Sequence, residues 1–228
     1  GGGHAGCEAA AASARMGVNT GLFTHKIETI GEMSCNPAIG GLGKGHLVKE
    51  IDALDGVMGV VTDKSAIQFR LLNRSRGPAV RGPRTQSDRA LYKEYMQKML
   101  LSYCNLKVFS DPVIEFIFEK NQIVGFHTMS GKKINCKKMI LTTGTFLNGL
   151  IHIGDERTPA GRHNEKPSIG LSEQLRKFKI KLGRLKTGTP PRLDGSTINY
   201  ENLEKQDADT DPEYFSFLTN KTYNKQIS

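Results

Sequence analysis

The chain begins with Gly1-Gly2-Gly3-His4-Ala5-Gly6, a G-x-G-x-x-G run that leads directly into an alanine-rich helical stretch. The glycines of such a run have separate tasks. Gly1 makes a tight turn, Gly3 lets the backbone approach a pyrophosphate, and Gly6 lets the helix pack close to a sheet. The N-terminus of the helix supplies N–H groups and a positive dipole end for phosphates. The run therefore indicates a dinucleotide-binding turn, although a glycine turn without a ligand remains an alternative.

The residues after the helix complete part of a βαβ unit. Residues 18–24, VNTGLFT, have the composition of a strand, and we expect the first strand of the unit to be missing. Nicotinamide-binding folds place an Asp or Glu at the end of the second strand, where it holds a ribose hydroxyl. Here Thr24-His25-Lys26 take that place, and the next acid is Glu28. A plain NAD dehydrogenase is therefore disfavoured.

The middle of the chain continues an α/β order. A glycine-rich stretch over residues 31–46 reads as a functional loop, and residues 73–84 read as a loop because of their two Gly-Pro pairs. Thr85 to Asp88 have capping-box spacing ahead of an amphipathic helix that we expect to pack on a sheet. The elements predicted around these segments are a helix over 47–54, a strand over 67–72, a helix carrying an apolar stripe from Tyr92 to Tyr103, and a parallel strand over 106–109.

The second half begins with three β-like runs joined by short turns, which predict an antiparallel meander. A fourth apolar run, Met139–Leu141, leads to Gly144, where a glycine at the carboxyl end of a strand permits close approach of a ligand. Glycines and prolines from 149 onward predict loops, and residues 199–228 are polar and irregular. The remaining segments are meander strands over 113–118, 123–129 and 133–136, a helix over 172–178 and a strand over 181–185.

These elements predict an α/β fold: a doubly wound, Rossmann-like domain that binds FAD and carries an antiparallel meander. The order of elements favours flavin-binding over symmetric nicotinamide domains. We expect this FAD-binding domain, N-terminally truncated, to span residues 1–170. Residues 171–228 would then be the start of an inserted second domain.

Composition narrows the functional classes. The 228 residues include 37% hydrophobic and 24% charged residues, and no apolar run is long enough to span a bilayer. The four cysteines form no C-x-x-C pair, which suggests a reducing compartment and neither a zinc site nor a disulfide framework. The formal charge of +9 indicates a polyanionic partner, unless the excess lysine is only a solvated surface.

Cys35 is the candidate nucleophile. It lies in Ser34-Cys35-Asn36-Pro37, ahead of the glycine-rich loop with Lys44 and His46. A thiol becomes nucleophilic when positive charge or helix N-terminal N–H groups favour its thiolate. Spacing alone nevertheless favours a small buried thiol, because free cysteines are usually structural. No metal-ligand spacing is visible, so we expect no metal site.

Arginine is concentrated between residues 70 and 89, where six arginines share the window with the single acid Asp88. Arginines on a Gly/Pro loop clamp phosphates bidentately, and clustered basic charge is the footprint of nucleic-acid binding. Contact with the dinucleotide's own phosphates and a solvated loop remain alternatives. The candidates for nucleic-acid contact are Arg74, Arg76, Arg81 and Arg84. A weaker anion-site candidate is the loop containing Arg157, Arg162 and His163.

These segments resemble one family closely. The matching stretches are GGGHAGCEAA, TIGEMSCNPAIGGLGKGHLVKEIDAL, AIQFRLLNRSRGPAVR, LTTGTFLNGLIHIG and GRLKTGTPPR. They are similar to the tRNA uridine 5-carboxymethylaminomethyl modification enzymes, the MnmG/GidA flavoproteins. The resemblance covers the whole chain, which would be the N-terminal fragment of a longer protein.

The resemblance implies cofactors and roles for particular residues. FAD would lie on Gly1, Gly2, Gly3, His4, Ala5 and Gly6, with further contacts from Val113 and Ser168. Cys35 would serve in the chemistry, which reverses the interpretation from spacing alone. NADH would be the reductant, bound beyond Ser228, and methylene-tetrahydrofolate the carbon donor.

The family also implies an activity and partners. The enzyme would build an aminomethyl-type group on C5 of the wobble uridine, U34, of tRNA. It would work as a homodimer with the GTPase MnmE in a heterotetramer. We expect a cytoplasmic location, or the mitochondrial matrix, with no membrane contact, and we expect this fragment alone to be inactive. The alternatives are a folate- and FAD-dependent tRNA uracil methyltransferase and a non-catalytic nucleotide- or RNA-binding module.

Overall fold

The computed structural model describes all of residues 1–228 and shows a mixed α/β fold. The α-helices are α1 (His4–Arg15), α2 (Lys44–Ala53), α3 (Met58–Ser65), α4 (Arg89–Leu101) and α5 (Leu171–Lys177). The strands are β1 (Thr20–Thr24), β2 (Ala38–Gly40), β3 (Ala66–Leu72), β4 (Gly82–Ser87), β5 (Leu106–Ser110), β6 (Val113–Glu119), β7 (Gln122–Thr128), β8 (Lys133–Asn135), β9 (Leu150–Ile153) and β10 (Glu156–Pro159). None of the helices is long and apolar enough to cross a membrane.

The chain forms two compact units that alternate along the sequence. The first unit consists of residues 1–30 and 103–186, and the second of residues 31–102 and 187–228. These units do not follow the predicted division at residue 170, which stays a prediction about domains.

The first unit is built on a parallel strand pair. Strands β1 and β5 run in register from Thr20 opposite Leu106 to Thr24 opposite Ser110. Helix α1 packs against both strands through small residues, among which Cys7 and Ala11 are fully buried. Small side chains let a helix approach a sheet closely. The predicted parallel strand at 106–109 is thereby confirmed.

The meander of the first unit is also confirmed. Strands β6, β7 and β8 pair antiparallel in that order. Phe116 and Phe126 from this sheet form a buried cluster with Leu171 and Leu175 of α5. The amide of Gln174 adds a polar link, because its Oε1 accepts the N–H of Phe116 at 2.8 Å. Helix α5 is thereby fixed on the meander.

Two predicted strands do not form. Residues 139–141 and 181–185 have no regular structure, because a short apolar run becomes a strand only where a neighbouring strand pairs with it. The prediction that Gly144 follows a strand is therefore wrong. Conversely, β9 and β10 form an antiparallel hairpin within a segment predicted to be loop, around a turn with Gly154 at φ +58°.

The second unit contains the antiparallel sheet β2-β4-β3 and helices α2, α3 and α4. The predicted stripe on α4 is confirmed, since Tyr92, Met96 and Leu100 are fully buried. Helix α4 lies against helix α3, whereas the prediction placed it on a sheet. A helical stripe shows which face is buried but does not identify what covers that face.

The start of α4 differs from the capping-box prediction. Thr85 to Ser87 belong to β4, so Thr85 is a strand residue. The cap is Asp88, whose Oδ1 accepts the N–H groups of Ala90 and Leu91 at 2.8 and 3.0 Å. An Asp at the N-cap satisfies donors that the helix itself leaves unpaired.

Residues 199–228 are irregular, as predicted, but they are anchored in the second unit. Asp63 of α3 is fully buried and accepts the N–H groups of Phe215 and Ser216 at 3.0 and 2.8 Å. Asp52 of α2 accepts the next N–H, from Phe217, at 2.9 Å. Burial raises the pKa of the Asp63 carboxyl, although the two N–H donors oppose the shift.

Candidate functional site

The glycine turn requires glycine at three positions for steric reasons. A Cβ on Gly6 would lie 1.8 Å from the carbonyl oxygen of Gly1, and one on Gly1 would lie 2.6 Å from that of Thr142. A Cβ on Gly2 would lie 2.7 Å from the Ile30 side chain. These contacts are too short for any larger residue without movement of the surrounding atoms.

Gly3 is different, because a Cβ there would meet no atom within 4 Å. It is the N-cap of α1, and neither a side-chain cap nor an acidic residue occupies the first turn of this helix. An anion approaching the N-terminus of α1 therefore meets open space, a positive dipole end and no competing carboxylate.

Two other segments of the first unit flank the turn. The Gly2 N–H donates to Thr24 Oγ1 at 3.2 Å, which ties the turn to the end of β1. Thr142 Oγ1 donates to the Gly1 carbonyl at 3.1 Å. Two residues further, Gly144 has φ +54° and open space where a Cβ would lie. The segment that contains Gly144 therefore lies beside the turn, as an irregular segment and not at the end of a strand.

Ser168 also lies at the end of β1. Its Oγ is 3.3 Å from Nε2 of His25, and its backbone N–H donates to the carbonyl of Phe146 at 2.8 Å. Val113 contributes in another way, because it packs against the apolar cluster of Phe116 and Phe126. Among the predicted residues, Ser168 therefore supplies a polar group at this end of β1 and Val113 an apolar surface.

His25 has a defined environment. Its ring meets Phe146 edge-on at 5.1 Å between centroids, and the Arg162 guanidinium lies 5.2 Å from the centre of the same Phe146 ring. Arg162 donates from Nε to Glu165 at 3.0 Å. Burial lowers the pKa of His25, with the Glu165 charge acting in the opposite direction. Burial of His25 therefore favours the neutral form of its ring.

The residues gathered here fit a dinucleotide. Open backbone at Gly3 and Gly144 leaves room for a pyrophosphate, and the uncapped helix end offers N–H donors to it. Ser168 and His25 add hydroxyl and imidazole groups beside the end of β1. Sequence reasoning pointed to the glycines and the family resemblance to Ser168, but neither pointed to His25, although the missing acid had already marked that position.

Cys35 lies in the second unit on a loop that is fixed on both sides. Arg89 Nη2 donates to the Cys35 carbonyl at 3.4 Å, and the Pro37 carbonyl accepts the Ser87 N–H at 2.7 Å. The thiol is partly buried, and the Lys44 ammonium is near enough for the two charges to interact. Desolvation lowers the pKa of Lys44, an effect that the Cys35 charge opposes.

The glycine-rich loop follows Cys35 into α2. Gly40, Gly41 and Gly43 all have φ between +76° and +96°, where glycine is strongly preferred. A Cβ on Gly40 would collide with the Pro83 carbonyl, whereas Gly41 and Gly43 face open space. Gly43 is exposed and Gly41 is buried, and residues 38–40 and 44–46 of the predicted loop belong to β2 and α2. A functional role for this segment stays a prediction.

The four candidate arginines differ in exposure and in ion pairing. Arg74 pairs with Asp209 at 3.0 Å, and Arg84 lies within strand β4 rather than in the predicted loop. Arg76 and Arg81 are exposed, with Arg81 Nε donating to the Arg76 carbonyl at 3.1 Å. Of the four candidates, Arg76 and Arg81 are therefore the two that are exposed and not held in an ion pair. No group of three or more His, Cys, Asp or Glu side chains is placed to hold a metal.

Comparison with known proteins finds relatives that align over the whole chain. The tRNA uridine 5-carboxymethylaminomethyl modification enzyme MnmG of Thermodesulfovibrio yellowstonii is 54% identical over 227 residues, which is 100% of this chain and 36% of that protein. The structure of Aquifex aeolicus GidA in its form I crystal superposes with a TM-score of 0.94 at 47% identity, over 100% of this chain and 39% of that one.

A more distant structure shares the fold alone. The GidA-related protein from Thermus thermophilus matches with a TM-score of 0.53 at 21% identity, over 79% of this chain and 67% of that one. The chain spans little more than a third of the two closer relatives. The family model of glucose inhibited division protein A matches residues 1–228, and the chain therefore belongs to the GidA family.

Proposed function

We propose that this chain is the FAD-binding part of an enzyme that modifies C5 of the wobble uridine in tRNA. The observation that carries the proposal is the 54% identity to MnmG over the whole chain, which includes both the glycine turn and the Cys35 loop. Because the chain spans 36% of that relative, the complete reaction is proposed for the longer protein.

In this proposal the first unit holds FAD in a doubly wound, Rossmann-like arrangement. Gly3 and the first turn of α1 would bind the pyrophosphate, Gly144 would approach the cofactor through its backbone, and Ser168 would donate or accept one hydrogen bond. The flavin would supply redox chemistry on a carbon unit from methylene-tetrahydrofolate, with NADH as reductant. The chain's own residues bind and orient it.

Cys35 is proposed as the nucleophile that activates the base. Carbon 5 of uracil is a weak nucleophile until a group adds to carbon 6. The Cys35 thiolate forms the S–C6 bond and pushes the electron pair of the C5–C6 bond towards the C4 carbonyl. C5 then attacks the methylene carbon of the folate donor in its iminium form, and the C=N electron pair moves to the nitrogen. Loss of the C5 proton re-forms the C5–C6 double bond as the S–C6 bond breaks and releases the thiolate.

The partners follow from the same family. The substrate is tRNA, and a GTPase of the MnmE type would act with a homodimer of the full protein in a heterotetramer, in the cytoplasm. Arg76 and Arg81 are the side chains best placed to meet RNA phosphates, because both are exposed and neither is held in an ion pair. A domain boundary at residue 170 is part of this proposal.

Two measurements on the full-length protein test the proposal. FAD titration followed by flavin absorbance should show stoichiometric binding, and a tRNA modification assay should show product. Cys35→Ser should abolish product while leaving FAD binding unchanged, because the sulfur is needed only for addition to C6. Cys104→Ser is the matched control, since this exposed cysteine follows α4 and should tolerate the change.

The outcomes separate the alternatives. Wild-type modification that survives Cys35→Ser would remove Cys35 from the chemistry. A protein that binds tRNA but no FAD would instead be a basic RNA-binding module, the second function that the exposed arginines favour.

A further inference from the structure

The end of β1 is the place where dinucleotide-binding folds hold the adenosine ribose. In nicotinamide folds an acid at this point accepts a hydrogen bond from the ribose 2′-hydroxyl. Here the strand ends at Thr24, and His25 is the next residue. The glycine turn lies beside it, because the Gly2 N–H donates to Thr24 Oγ1 at 3.2 Å.

No carboxylate substitutes for the absent acid. Glu165 is the acid that influences His25 electrostatically, and it is held by Arg162 through contacts of 3.0 and 2.9 Å. Glu28 is exposed, three residues beyond His25. The polar group that the fold places at the end of β1 is therefore the imidazole.

Several contacts fix the orientation of this imidazole. Ser110 Oγ at the end of β5 donates to the His25 carbonyl at 3.0 Å, which ties the two strand ends together. Nε2 faces Ser168 Oγ, and the ring edge packs on Phe146. Nδ1 has no hydrogen-bonding partner within the protein, and the residue is only partly buried.

We propose that His25 binds a ribose hydroxyl of the adenosine half of FAD through Nδ1, in the place that an acid takes in nicotinamide folds. The inference rests on the proposed function. A ribose hydroxyl both donates and accepts, so either neutral tautomer of the ring makes the bond. Ser168 holds the ring in position through Nε2.

The test measures flavin affinity by fluorescence titration of the full-length apoprotein with three ligands. These are FAD, FMN, which lacks the adenosine half, and an FAD analogue with 2′,3′-dideoxyadenosine. Loss of one hydrogen bond predicts that His25→Ala raises the Kd for FAD about 3- to 10-fold. The Kd values for FMN and for the dideoxy analogue should stay at their wild-type levels.

Two isosteric variants show which ring nitrogen of His25 makes the hydrogen bond to the ribose. His25→Asn places a polar atom where Nδ1 lies and should keep most of the FAD affinity. His25→Gln places one where Nε2 lies and should behave like His25→Ala. His152→Ala, at an exposed histidine of β9 in the same unit, is the matched control and should change no Kd. Thermal unfolding of each apoprotein checks that the variants are folded.

Each other result has a distinct meaning. If His25→Ala weakens FAD and the dideoxy analogue equally, His25 is structural and the inference is overturned. An unchanged Kd for FAD overturns it too. If the wild-type protein binds no FAD at all, the proposed function itself fails.

Discussion

At the scale of single residues, the four glycines of the opening run are glycine for two different reasons. Gly1, Gly2 and Gly6 are surrounded by protein atoms, so a side chain at any of them would collide with the fold. Gly3 borders open space, so a side chain there would collide only with a ligand. Mutation can separate stability from cofactor binding on this basis.

We expect Gly3→Ser to preserve or raise stability while weakening FAD binding. Gly3 has N-cap backbone angles of φ −75° and ψ −175°, where Ser caps a helix well and differs from Gly by a few tenths of a kcal/mol. Its side chain would fill the pyrophosphate space. Gly6→Ala should lower the free energy of unfolding by about 1–3 kcal/mol, because the new Cβ meets the Gly1 carbonyl.

Chemical denaturation and flavin titration of both variants check this contrast. A Gly3→Ser protein that binds FAD normally would show that the pyrophosphate does not lie at Gly3. A Gly6→Ala protein as stable as the wild type would contradict the close approach of α1 to the turn.

The sequence alone reached some functional residues and missed others for a physical reason. The glycine turn is local, so spacing predicts it. His25 can be recognised as a site residue only in the folded structure, where Ser168, 143 residues away in sequence, lies beside its ring. Cys35 is an intermediate case. Lys44 is close to it in sequence, but sequence spacing alone does not show whether the two side chains are near enough to interact.

At the scale of elements, periodic patterns predicted the existence of helices better than their ends or their partners. The stripe of α4 was clear, but a capping signature of four residues is too short to distinguish a strand end from a helix start. Strand predictions failed because strand formation depends on a pairing partner. Residues 139–141 are apolar but pair with no strand, whereas β9 and β10 pair with each other despite a composition typical of loops.

The start of α4 yields a test of the observed cap. Asp88→Ala should lower the free energy of unfolding by about 1 kcal/mol, because two backbone N–H groups lose their acceptor. Thr85→Val should cost nothing or stabilise, since Thr85 Oγ1 is buried without a hydrogen-bonding partner. Urea denaturation measures both, and the opposite ranking would make Thr85 the cap.

At the scale of the whole molecule, the alternation of the two units along the chain is the feature that sequence could not predict. The second unit depends on contacts such as that of Asp63 with the N–H of Phe215, across 152 residues. Such contacts leave no periodic signal, because a buried Asp is an ordinary polar residue until its partner is known. A linear division of the chain was therefore the simplest expectation.

The net charge of +9 also needs the structure before it can be interpreted. Counting arginines treats Arg74 and Arg76 as equivalent. In the structure both are exposed, but Arg74 is paired with Asp209 and Arg76 forms no ion pair. Only a cation that neutralises a phosphate releases a counterion, so the two should contribute differently to RNA binding.

We therefore expect Arg76→Gln to reduce the salt dependence of tRNA binding and Arg74→Gln, its matched control, to reduce it less. One phosphate contact contributes a slope of about one in log K against log salt concentration, and Arg76→Gln should lower the slope by that amount. Filter binding of an anticodon stem-loop at several salt concentrations measures it. Equal slopes for wild type and Arg76→Gln would place the RNA elsewhere, and a larger effect at Arg74 would mean that RNA displaces Asp209 from its ion pair.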